Sequence, residues 1–281
     1  EVYMTKCEYE KAKNYFEEAR EIAKEIGDGN GILITSLNLG LIYLYTNKYD
    51  QAYNYYNILK EEYSKEKNIS FEVETQYYHF LGEFYFNFGK WDEAKTWYFK
   101  AMQQYKQYDT SGYLISKSKL AQIEYLSKGV FNKEEFDNLR AEFKSKGLNY
   151  IRRKFLLYLG VLSFMEQDYD YLMDILTEDD QLKDDYCAQN FEFIRQLLIS
   201  GMKDDERSYN NLIKLEEEVK KNNLENLAII INLLLGNRAF ERGNHFQSFN
   251  FFVEALDIIY RLIKNVPIRD LQISFTKTQN S

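Results

Sequence analysis

Proline is nearly missing from this 281-residue chain; the only one is Pro267. Proline removes a backbone donor and clashes with the preceding helical turn, so a chain almost without it can be helical throughout. Histidine is scarce too. His79 and His245 stand far apart, and neither has another histidine or cysteine three or four residues on, so no metal site is expected. The two cysteines, Cys7 and Cys187, form no CxxC or metal-ligand spacing, which points to a reduced, cytoplasmic protein. No GxxxxGK[ST], GxGxxG or GxSxG motif occurs, so phosphate loops, dinucleotide folds and a nucleophile elbow lack support. Paired carboxylates such as Glu61-Glu62 read as charged helix faces. No catalytic residue, cofactor or metal is therefore assigned, and an enzyme is not expected.

Excess positive charge is lacking as well. The net charge is −8, which disfavours a nucleic-acid binder. The short run Arg152-Arg153-Lys154 reads as a solvated helix start. The longest apolar run, residues 227–235, is broken by Asn232, so no membrane span is expected. Neither a leader peptide nor an initiator methionine opens the sequence, and the first residues read as a half-repeat cut from a longer protein. Lysine outnumbers arginine 26 to 10, a compositional hint of an AT-rich bacterial genome.

What the chain has in abundance is aromatic residues: 25 Tyr and 20 Phe, at regular spacing. Leu39-Gly40 is followed by Tyr43, a turn at Asn47-Lys48-Tyr49, then Ala52 and Tyr56. Leu81-Gly82 is followed by Tyr85, Gly89, Trp91, Ala94, Tyr98 and Ala101. Ala12, Ala52 and Ala94 lie 40 and 42 residues apart, and Gly40 and Gly82 are also 42 apart. Two independent markers on one period indicate a repeat. Glycine inside a helix costs about 1 kcal/mol against alanine. Gly40 and Gly82 are expected where a facing helix approaches closely, with Ala52 and Ala94 opposite and Tyr43, Tyr56, Tyr85 and Tyr98 between successive pairs.

Residues 1–26 carry Ala12, Phe16, Ala19 and Ala23 on one helical face, and the cluster Gly27-Asp28-Gly29-Asn30-Gly31 reads as a helix-to-helix turn, since it lacks calcium-loop spacing. The middle is degenerate: Leu120-Ala121 with Tyr125 and Gly129, then Leu159-Gly160 with Asp168-Tyr169. The acidic stretch of residues 178–185 reads as a solvated loop. The last pair recovers the pattern in Leu235-Gly236, Ala239, Gly243, Phe246, Phe252 and Ala255, with Ser248 where alanine is expected.

Leu-Gly, an aromatic three later, Ala twelve after the glycine, an aromatic four on and Ala three on: this pattern resembles the tetratricopeptide repeat. Residues 32–107 match it well and residues 1–26 match its second helix, with a period above the usual length of about 34. The resemblance implies an all-α, right-handed superhelical solenoid of antiparallel helix pairs. The expected plan is one repeat domain, residues 1–265, followed by a tail or linker, residues 266–281. It holds a half-repeat (1–26) and pairs at about 32–66, 70–107, 110–146, 148–177, 186–222 and 224–265.

First helices of such a solenoid line its concave surface. The positions implied to face inward include Leu41 and Tyr45 in the second pair, His79, Glu83, Phe86 and Asn87 in the third, and Asn237 and Phe240 in the last. These are the candidate groove contacts. His79, Glu83 and Asn87 share one face, the most polar of the set, and asparagine amides suit a peptide backbone. The corresponding inward positions of the second pair are aliphatic, so a basic clamp for chaperone C-termini is absent. The expected role is a non-catalytic protein- or peptide-binding scaffold, the sensory or interaction segment of a larger cytoplasmic bacterial regulator. The alternatives are a peptide-pheromone-sensing domain of a transcription regulator, and a spacer or dimerisation module. The expected partner is a protein or peptide, with no nucleic acid or membrane. A homodimer through an uncapped end stays open.

Overall fold

The computed structural model describes residues 2–182, 188–267 and 271–272. Among these every regular element is helical and no strand occurs. The fold class is therefore all-α, built from successive helix pairs. The described residues form two compact units: residues 2–148 with 263–267 and 271–272, and residues 149–182 with 188–262.

The first unit holds α1 (Val2–Thr5), α2 (Tyr9–Ile26), α3 (Gly29–Tyr45), α4 (Tyr49–Lys65), α5 (Phe71–Asn87), α6 (Trp91–Tyr105), α7 (Thr110–Lys128) and α8 (Lys133–Ser145). Here α3 packs on α2, α4 and α5, while α6 packs on α5 and α7. The second unit holds α9 (Asn149–Met165), α10 (Tyr169–Asp180), α11 (Ala188–Gly201), α12 (Glu206–Lys221), α13 (Glu225–Glu241) and most of α14 (His245–Lys264). In it α9 packs on α10 and α11, and α12 packs on α11 and α13.

One turn recurs within the pairs. Asn47, Gly89, Gln167 and Gly243 all have positive φ, between 56° and 75°. In each case the next N–H reaches back over the helix end: Lys48 to Tyr43, Lys90 to Tyr85, Asp168 to Ser163 and Asn244 to Ala239, all at 2.9 Å. This closes carbonyls that a helix terminus otherwise leaves open. The Gly27–Gly31 cluster is a turn as well. Gly27 ends α2 in the left-handed region, Asp28 caps α3 through Gly31 N–H at 3.0 Å, and Asn30 accepts from Ser70 N–H at 3.0 Å.

The helical glycines do allow close approach, but aromatic rings fill the space, not the alanines expected opposite. A Cβ on Gly40 would lie 2.6 Å from the Phe80 ring, one on Gly82 2.8 Å from Tyr98, and one on Gly236 2.7 Å from Phe252. Ala52 and Ala94 are fully buried. Between the second and third pairs, Tyr56 stacks on Phe84 at 4.4 Å and its hydroxyl meets that of Tyr85 at 3.1 Å.

The Arg152-Arg153 expectation is corrected. Both side chains are buried, Arg152 paired with Glu178 and Arg153 Nε with Asp179 Oδ1 at 3.0 Å; only Lys154 is exposed. Tertiary packing turned this stretch of α9 inward, and two residues of the supposed acidic loop sit on α10 to meet it. Residues 183–185 of that stretch lie outside the described residues, as does Cys187. Cys7 is not a free thiol, contrary to the reduced reading. In the same unit as α9, Arg238 donates to the carbonyls of Ser200, Gly201 and Lys203 at 2.6–3.0 Å, closing the end of α11.

Gly82→Ala pushes a methyl into the Tyr98 ring and is expected to destabilise by about 1–3 kcal/mol in denaturant unfolding. A Tyr98→Leu background should remove part of that cost. Gln167 is a non-glycine residue in the left-handed region, which costs about 1–2 kcal/mol. Gln167→Gly should therefore raise the thermal midpoint, while Gly243→Ala should lower it.

Candidate functional site

Ser70 caps α5 by accepting from Val73 N–H at 3.3 Å, which sets the register of the helix. His79, Glu83 and Asn87 follow at four-residue steps on one side of α5. Glu83 is almost wholly buried, its side chain 4% exposed. Lys119 of α7 reaches it, Nζ lying 3.1 Å from Oε1, and the same ammonium stands 4.4 Å over the Phe86 ring. His79 Nε2 is 3.9 Å from Glu83 Oε1, and its Nδ1 is buried without a partner. The buried Tyr98 hydroxyl faces Glu83 without closing a hydrogen bond of normal geometry. Tyr45, exposed on α3, adds a weak electrostatic contact to Tyr98. Phe86 packs on the core of Ala94, Tyr98 and Ile123.

Burial works to raise the Glu83 carboxyl, but Lys119 and His79 outweigh it and hold the group below the usual carboxylate range. Burial lowers the His79 imidazole, only partly opposed by Glu83, and Lys119 lowers it further. The resting arrangement is a neutral histidine beside a carboxylate–ammonium pair. That pair is shielded from water on the carboxylate side and partly open on the lysine side.

The sequence candidates thus separate. Leu41, Tyr45, His79, Glu83, Phe86 and Asn87 belong to the first unit, and Asn237 and Phe240 to the second. Leu41 is half-buried on α3. Asn87 does not offer a full amide, because its Nδ2 donates to the Glu83 carbonyl of its own helix at 2.8 Å. On α13, Asn237 and Phe240 are exposed, with the Phe240 ring 5.1 Å from His245. Lys119 and Tyr98 were missed as site residues. Lys119 lies 36 residues after Glu83, off the repeat step, in a pair whose Leu-Gly marker has decayed. The signal was indirect: a carboxylate on a buried face needs a cation. A separate open cleft of about 810 Å³ is lined by Lys95, Phe99, Leu120 and Glu124 among others, with Lys95 paired to Glu124 at 3.1 Å.

Among the described residues no group of three or more acidic, His or Cys side chains is placed to hold a metal, and no helix is long and apolar enough to cross a membrane.

His79 has a folded pKa below its unfolded value of about 6.5, so the unfolded chain binds its proton first. Its contribution is full above that value and is lost as pH falls through it toward the folded pKa. Glu83, also depressed, adds a second loss at lower pH, as its own folded pKa is passed. Urea midpoints measured from pH 8 to pH 5 should decline for the natural chain and decline less for His79→Gln.

Comparison with known proteins agrees with this architecture. Residues 1–57 match the tetratricopeptide repeat family. No curated protein sequence matches the chain. A Rap protein complexed with Competence and Sporulation Factor is similar in structure, with a TM-score of 0.74, 12% identity, and coverage of 94% of this chain and 73% of that one. RapI in its apo form gives 0.64 at 12% identity, covering 94% and 95%. The Rap conjugation gene regulator of plasmid pLS20, in complex with the Phr* peptide, gives 0.64 at 13% identity, covering 86% and 80%. Residues 1–57 are thus similar in sequence to the tetratricopeptide repeat family, and the fold of the chain is similar to that of these Rap proteins.

Proposed function

We propose that this chain is a non-catalytic scaffold that holds a peptide on the α3–α5–α7 side of its first unit, as the sensory segment of a larger cytoplasmic bacterial regulator. The observation that carries the reading is the Glu83–Lys119 pair. Its carboxylate is sealed inside, while its ammonium side is partly open to solvent. Lysine has three donors. With the ammonium held between the Glu83 carboxylate and the Phe86 ring, a donor is left for a peptide carbonyl at little entropic cost. Tyr45 adds an exposed ring for a side chain, and the remaining amide oxygen of Asn87 accepts from a peptide N–H. No group here is poised as a nucleophile with a base, which favours holding over chemistry. Two of the structural neighbours support the choice of ligand, since one holds Competence and Sporulation Factor and another the Phr* peptide.

The test is retention of a degenerate short-peptide pool on the immobilised chain, read by mass spectrometry. Lys119→Gln and Tyr45→Ala should each lower retention of the enriched peptides at least about tenfold, with helix content unchanged. Phe240→Ala should leave it intact. No enrichment over blank matrix, or loss only with Phe240→Ala, would defeat this placement.

A further inference from the structure

The outer face of α14 is apolar where those of α4 and α12 are mostly polar. Phe246, Phe249, Val253, Leu256 and Tyr260 are 78%, 65%, 37%, 62% and 68% exposed. Their spacing is three, four, three, four. That is the narrow seam of a two-helix coiled coil, not the broader face a helix turns toward a globular core.

The register of the repeat shows that this seam is not simply a face awaiting the next helix pair. Counted from the start of the helix, the same five positions on α12 are Arg207, Asn210, Lys214, Glu217 and Lys221, all exposed. On α4 they are Asp50, Tyr53, Asn57, Lys60 and Ser64, of which only Tyr53 is half-buried. Both helices already have a successor packed on them, α13 and α5. A following pair laid on α14 in the same way would therefore leave most of the seam in water.

We infer that α14 is a self-association surface, and that its occupant is the α14 of a second copy of this chain. The seam carries no charge along its length, so it matches itself without needing a complementary partner. Aromatic side chains present about 150–250 Å² each, so the five residues offer roughly 600 Å² of apolar surface per copy. That is at the top of what a monomer tolerates, about 300–600 Å². Doubled by two-fold symmetry it reaches about 1,200 Å², the lower bound of specific interfaces. The polar positions Asn250, Asp257 and Lys264 border the seam and would stay wet.

Sedimentation velocity of the chain over a wide concentration range tests this. The natural chain should sediment as a dimer that dissociates on dilution. Phe249→Glu and Leu256→Glu, both at exposed positions, should weaken the dimer at least about thirtyfold while leaving helix content and melting unchanged. Phe246→Ser with Tyr260→Ser is the milder variant, should the glutamates disturb the helix. Phe99→Glu, at the exposed position of α6 that corresponds to Val253, should leave the dimer intact. A natural chain that stays monomeric at every concentration overturns the inference. So does a dimer that survives all the α14 variants, or one that Phe99→Glu dissolves equally.

Discussion

An aromatic ring seated on bare helix backbone is the contact on which this structure depends. It recurs at Gly40 under Phe80, Gly82 under Tyr98, Gly112 under Tyr105, Gly201 under Phe164 and Gly236 under Phe252, where an added Cβ would lie within 2.9 Å of the ring. A large flat side chain excludes much water, and its ring needs a flat bed. Glycine supplies that bed at a helix-propensity cost of about 1 kcal/mol, which the burial of a Tyr or Phe exceeds. The contact is made sometimes within a pair and sometimes between pairs. The same device therefore closes the α5–α6 and α13–α14 hairpins and, at Gly40, Gly112 and Gly201, stacks one pair on another.

So much apolar packing specifies contact better than it specifies register, and buried polar ties supply the rest. Glu74 accepts from Tyr63, Tyr78 and Gln104 at 2.9–3.0 Å, fastening α4, α5 and α6. Arg153 and Asp179 meet between α9 and α10, with Asp179 Oδ2 left unpaired and its carboxyl pushed up by burial. Breaking such a pair costs more than the pair contributes, because a buried charge is left alone. Glu83 and Lys119 belong to this class by geometry. They differ in that one end of the pair opens to solvent, and that difference makes the place a candidate for holding a ligand.

The outward faces of the repeats differ in the same selective way. Most second helices present acids, lysines and amides to water. On α14 these are replaced by Phe, Val, Leu and Tyr, while the inward residues Ser248, Ala255, Ile258 and Leu262 remain ordinary core. One repeated framework thus has room for the proposed ligand-holding patch on a first helix and the inferred self-association face on a second, because the ring-on-glycine contacts are kept at both.

The sequence by itself determined the helix-pair class. Missing proline, the Leu-Gly markers and the 40–42 residue step follow from local backbone chemistry and from a period that stacking must keep. It also located His79, Glu83 and Asn87 on one side of one helix, since four-residue spacing is a property of the helix alone. Only the tertiary structure decided that aromatic rings, not alanines, cover the glycines, and that Arg152 and Arg153 turn inward to meet Glu178 and Asp179. It alone decided that the amide of Asn87 is spent on its own helix and that Lys119 completes the pair with Glu83. All but the Asn87 contact depend on which side chain arrives from a different helix. No spacing along the chain encodes that arrival once the repeat markers have decayed, and the geometry of packed neighbours has to supply it.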